Sequence, residues 1–114
     1  MNNVKDYLPE IRENLKKLNP YKIILFGSIP KGEENENSDI DLLVILDSEK
    51  ISKNYEEKMQ NKLLVRKSIY ELSKKIPIDI LVYTKKEFEI IENNRNSFFK
   101  DVDKTGTILY EKTG

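Results

Sequence analysis

The chain contains no cysteine and no histidine among its 114 residues. Without thiols it has no disulfide and no thiolate metal site. Without imidazole it lacks the commonest general base and the usual zinc ligand. Any catalysis must therefore fall to carboxylates, a metal, Lys, Tyr or Ser. Net charge is missing too: Lys and Arg total 20, and Asp and Glu total 20. No basic excess marks a nucleic-acid-binding surface, so nucleic acid is not an expected partner. No apolar run is long enough to cross a bilayer. The opening Met1-Asn2-Asn3-Val4-Lys5-Asp6 lacks the apolar centre of a signal peptide. The expected location is the cytoplasm, with no membrane partner.

What is present is organised. The length suits one compact domain, residues 1–114, with its own core. Val4, Leu8, Ile11, Leu15 and Leu18 recur at helical spacing and predict an amphipathic helix from about Asn3 to Leu18. Asn19-Pro20 stops it. An apolar strand follows from about Tyr21 to Phe26, covered on both faces, and Gly27 ends it. One helical turn is expected from Ser28 to Gly32, with Pro30 tolerated in it, and then a solvated loop from Glu33 to Asn37. A second strand runs from Asp39 to Asp47.

A long helix is expected from Ser52 to Lys75, with Met59, Leu63, Val65, Ile69, Leu72 and Ile76 as its apolar positions. Its cations Lys62, Arg66, Lys67 and Lys74 fit a solvated face. Pro77 opens a third strand, Ile78 to Tyr83. Thr84, with Glu87 three residues on, reads as a capping box for a helix reaching about Asp103, with Asn93-Asn94 as a point of interruption. Phe88, Ile91, Phe98, Phe99 and Val102 would form its buried side. Gly106 ends it before a short strand, Thr107 to Tyr110. The fold class is α/β (α+β), in the order α-β-β-α-β-α-β.

The chemistry concentrates between Gly27 and Asp41. Asp39 and Asp41 lie two apart in a strand, so they share a face, roughly 7 Å apart. Ile40, Leu42 and Val44 point the other way. Paired carboxylates raise one another's pKa unless something neutralises them, and a divalent cation with hard oxygen ligands is the natural counter-charge. Asp79 is a lone carboxylate in the apolar run Ile78-Asp79-Ile80-Leu81-Val82. An unpartnered buried carboxylate is costly, so it should lie at an edge, be paired, or bind metal. Taken singly, each feature has a plainer account: a solvated strand end for Asp39 and Asp41, a salt-bridged residue for Asp79, an ordinary turn for Gly27-Ser28, a solvated side chain for Lys31, a local cap for Ser38.

Together, Gly27-Ser28, a ten-residue spacer from Ile29 to Ser38, and Asp39-Ile40-Asp41 resemble the signature of the DNA polymerase beta-type nucleotidyltransferase superfamily. The chain is most similar to the minimal nucleotidyltransferases, the antitoxin partners of HEPN-domain toxins. The resemblance implies a small nucleotidyltransferase fold with a mixed four-stranded sheet and helices. It implies that Asp39, Asp41 and Asp79 are the catalytic carboxylates and hold two Mg2+ ions. Gly27, Ser28, Lys31 and Ser38 would serve the triphosphate of ATP. The implied reaction is AMP transfer to a hydroxyl, by family likeness a tyrosine of a HEPN-domain partner in a heteromeric complex. A non-catalytic module that neutralises its partner by contact, and a transferase acting on a small molecule or RNA end, are the alternatives. The spacer departs from the family's pattern. Ile29 and Asn35 stand where basic residues are common, and Glu33, Glu34 and Glu36 add negative charge. That implies weaker nucleotide binding unless a metal or partner compensates.

Overall fold

The computed structural model describes residues 4–27, 39–94 and 97–112, apart from the side chains of Val4, Ser97, Phe98 and Asp103. The expected turn at Ser28 to Gly32, the loop at Glu33 to Asn37 and the burial of Phe98 lie outside the described residues. The first helix begins as a 3₁₀ turn, Val4–Tyr7, and continues as α1, Leu8–Lys16. Pro9 sits in the first turn of α1, where its missing N–H costs nothing. The helix ends earlier than Leu18. Asn19 takes a left-handed conformation (φ 51°) and donates its N–H to the Lys16 carbonyl at 3.0 Å, a conformation that asparagine tolerates better than most residues.

Strands β1 (Lys22–Phe26) and β2 (Ile40–Leu46) pair antiparallel, and β2 pairs in parallel with β3 (Ile78–Thr84). The last strand, β4 (Thr107–Glu111), pairs antiparallel with β1. The sheet is therefore mixed, in the order β3-β2-β1-β4. The register between β1 and β4 slips between Ile23 and Ile24 and leaves Leu109 as an extra residue. Arg12 Nε on α1 satisfies the Leu109 carbonyl at 2.8 Å, which ties the first helix to the last strand.

The expected long helix is two. α2, Tyr55–Ser68, starts at Asn54, whose side chain accepts from Glu57 N–H at 3.0 Å, rather than at Ser52. Asparagine is a good N-cap, and the carboxylate of Glu57 also accepts from Lys53 N–H. Ile69 leaves helical geometry (φ −120°, ψ 18°) and separates α2 from a short α3, Tyr70–Ser73. Of the expected apolar positions, Val65, Ile69, Leu72 and Ile76 are buried and Leu63 is half exposed. The single helix expected after β3 is also two: α4, Lys85–Asn93, and α5, Ser97–Thr105. The break falls at the Asn93-Asn94 step, with Asn94 outside helical geometry.

Side-chain alternation along the strands builds two cores. On one face Ile23, Leu25, Ile40, Leu42, Val44, Ile80 and Val82 pack with Ile11 and Leu15 of α1 and Val65 of α2. On the other, Ile24, Leu43 and Ile45 pack with Phe88 of α4 and Val102 of α5. The capping box at Thr84 and Glu87 is formed in full. No helix among the described residues is long and apolar enough to cross a membrane.

Candidate functional site

Three of the sequence-predicted site residues meet at one end of the sheet because of strand register. Asp41 lies directly opposite Asp79 across the parallel β2–β3 pair. Residues opposite one another in a ladder present their side chains to the same face. On the other side, Phe26 of β1 is the partner of Asp41, so the residue after it, Gly27, arrives beside the same carboxylate. Asp39 stands exposed just before β2. The first residue of β2 is held in place by a bond from Ile40 N–H to the Pro77 carbonyl at 3.1 Å. Ile40, Leu42 and Val44 are fully buried on the opposite face and anchor the strand that carries the acids.

Gly27 satisfies two demands at one position. Its φ of +86° lies in the region that glycine alone enters freely. A Cβ on it would collide with the Asp41 carboxylate. The backbone at Gly27 therefore passes in close contact with an acid, which only glycine permits.

The electrostatics match this crowding. Burial pushes the Asp41 carboxyl above its ordinary range, and the negative charges of Asp79 and then of Asp39 push it the same way. The three acids share one electrostatic neighbourhood, and burial and both neighbouring charges push Asp41 in the same direction. Among the described residues, no group of three or more potential metal ligands is drawn together tightly enough to enclose an ion. The donor set is nonetheless oxygen-only and repulsive, the chemistry that a hard divalent cation relieves. Three further expected contacts, Ser28, Lys31 and Ser38, lie outside the described residues.

Sequence reasoning recognised the Thr84–Glu87 pair as a cap but missed its second task. Glu87 also accepts from Ser52 N–H at 2.9 Å, and the Thr84 hydroxyl donates to the Lys50 carbonyl at 2.6 Å. The network fastens the segment between β2 and α2 to the start of α4. Beside it lies a cavity of about 250 Å3, lined by Leu46, Ser48, Ser52, Asn61 and Thr84 among others. It sits at the opposite end of β2 and β3 from the acids. No sequence signal marked it, because its walls come from segments distant in the chain.

Solved structures share this architecture. A toxin-antitoxin crystal structure with AMP-PNP aligns at a TM-score of 0.54 with 18% identity, covering 93% of this chain and 74% of the other. A protein from Sulfolobus solfataricus described as a nucleotidyltransferase aligns at 0.54 with 16% identity, over 95% and 83% of the two chains. A mutant of the toxin-antitoxin MntA-HpeT aligns at 0.52 with 16% identity, over 93% and 74%. These likenesses are of fold. No curated protein matches the chain by sequence. A family model described as the nucleotidyltransferase domain matches residues 8–110, from the start of α1 to within β4, and the chain belongs to that family.

Proposed function

We propose that the chain transfers AMP from ATP to a tyrosine hydroxyl of a HEPN-domain toxin and acts as its antitoxin. The observation that carries the reading is the register of Asp41 with Asp79, with Asp39 near enough to act on Asp41 electrostatically. Family membership supports nucleotidyl transfer. Three further points support the toxin partner and the nucleotide. Two of the solved neighbours are toxin-antitoxin structures, one of them contains AMP-PNP, and the other has two aspartates, two residues apart, exchanged for glutamate.

Asp39, Asp41 and Asp79 would hold magnesium, which when bound supplies neutralisation of the triphosphate charge and of the departing pyrophosphate. The chain's own part is positioning. β2 and β3 fix Asp41 and Asp79 in register, and Gly27 brings the backbone at the end of β1 against Asp41. In the transfer the tyrosine oxygen forms a bond to the α-phosphorus as the bond to the β-phosphate oxygen breaks. The phenolic proton passes to a cluster carboxylate or to water. Such chemistry needs orientation and charge neutralisation more than a histidine base, in keeping with the composition.

Intact-mass spectrometry of a HEPN-domain partner after incubation with ATP, magnesium and this chain tests the proposal. The expected result is a gain of one or more AMP masses, absent with Asp39→Ala or Asp41→Ala. A partner that stays unmodified, yet is still neutralised by the wild type and both variants, would establish neutralisation by contact instead.

A further inference from the structure

The neutral balance of the whole chain conceals a local segregation. Between Lys58 and Lys67, α2 carries Lys58, Lys62, Arg66 and Lys67 and no acidic residue. The same helix leaves apolar surface uncovered, with Tyr55 76% exposed, Leu63 50% and Leu64 49%. Beside it runs β3, the outer strand of the sheet, which pairs with β2 on one side and with no described strand on the other. Lys58, Met59 and Lys62 face the strand from Ile80 to Tyr83 across a groove of about 310 Å3. Successive strand residues line it although their side chains alternate between faces, so the groove follows the strand's edge. The Lys58 ammonium sits 5.3 Å from the centre of the Tyr83 ring, and Glu87 partly balances its charge. Lys62 forms no ion pair with any described residue.

We propose that this groove binds an acidic, extended segment of a partner protein, which adds to β3 as a fifth strand and sets its carboxylates against Lys58 and Lys62. The strand edge selects the backbone: unpaired N–H and C=O groups along an outer strand are matched by another strand, and a nucleic acid offers no such ladder. The cations select the charge of the incoming side chains. Ile80 and Val82, both buried in the first core, line the groove where it meets the sheet. A second copy of this chain fits poorly, because joining two such grooves brings Lys58 and Lys62 against their own counterparts. The inference rests on the edge and the charges of α2, and holds or fails separately from the chemistry at the carboxylates.

The probe is a fluorescein-labelled peptide alternating Glu and Val, titrated into the full chain by fluorescence anisotropy and followed by amide NMR. The expected result is saturable binding with shifts centred on Ile80–Tyr83 and α2, weakening as salt is added. Reversing both cations (Lys58→Glu with Lys62→Glu) should weaken it at least about tenfold while the remaining amide spectrum reports an intact fold. N-methylation of alternate peptide amides should abolish binding without any change to the protein. Absence of binding overturns the proposal. So do equal binding of a Lys-Val peptide, tolerance of N-methylation, or displacement by a single-stranded oligonucleotide at the same residues.

Discussion

Gly27 and Asp41 constrain one another at the site. Gly27→Ala would place a methyl group in a left-handed backbone and against a carboxylate. The backbone strain alone is worth about 1–3 kcal/mol, so chemical denaturation should show a loss of at least that size, with the largest amide shifts near Asp41. Asp41→Asn should act in the opposite direction on stability. The raised pKa of Asp41 means that its ionised form is disfavoured in the folded chain. Removing the charge should leave the metal-free melting temperature unchanged or slightly higher. The same variant should lose AMP transfer by at least about a hundredfold, the scale at which preorganised charge contributes. A variant both active and destabilised would mean that Asp41 is a structural residue. At the phosphate side, Ser28→Ala should weaken nucleotide binding by roughly 1.5–3 kcal/mol if its hydroxyl donates to a charged oxygen, read by calorimetric titration.

The caps show how far local sequence determines an element and where it stops. Thr84 and Glu87 were legible as a capping box, because their spacing alone satisfies the first N–H groups of α4. The bond from Ser52 N–H to Glu87 was not legible, since it joins residues 35 apart in sequence. Burial pushes the Glu87 carboxyl up, but the bonds it accepts from Thr84 and Ser52 outweigh that and hold it below its ordinary range. A depressed carboxyl stabilises the fold above its unfolded pKa, about 4.3 for Glu, and loses that effect as pH falls through the folded value. The stability gap between wild type and Glu87→Gln should therefore shrink on acidification from about pH 6 to about pH 3, measured by urea unfolding. A gap that widened would assign Glu87 a different role. Strand existence and the break at Asn93-Asn94 were legible from apolar runs and from the turn preference of asparagine. The division at Ile69 was not, because the apolar spacing of Val65, Ile69, Leu72 and Ile76 continues across it. Leu63, an apolar position of the same expected helix, is half exposed: α2 is apolar on more than one side, so spacing alone could not say which leucines the sheet would cover. The parallel β2–β3 register, which sets Asp41 against Asp79, follows from tertiary pairing and has no local signal.

At the scale of the whole chain, the arrangement of sheet and helices separates its functions in space. The acids lie at the starting ends of β2 and β3, while the Ser52–Thr84–Glu87 network fastens the opposite ends. α1 and α2 cover one face and α4 and α5 the other. In the proposed transfer, docking of a partner hydroxyl would replace a bimolecular encounter by an oriented one, an effect that can reach several kcal/mol. Pyrophosphate release from ATP should accordingly be slow for the isolated chain and rise at least about tenfold when the proposed HEPN-domain partner is added. An equal rate without the partner would indicate a freely diffusing acceptor.

The proposed transfer depends on Asp39, Asp41 and Asp79 forming a single cation site. Manganese titration with amide NMR tests that directly, because a bound paramagnetic ion broadens only its neighbours and the readout needs no turnover. The account predicts saturable broadening centred on Asp39–Leu43 and Ile78–Ile80 in the presence of a non-hydrolysable ATP analogue, lost in Asp41→Asn and weakened in Asp79→Ala. Broadening that leaves those residues untouched, or that persists unchanged in both variants, would contradict it.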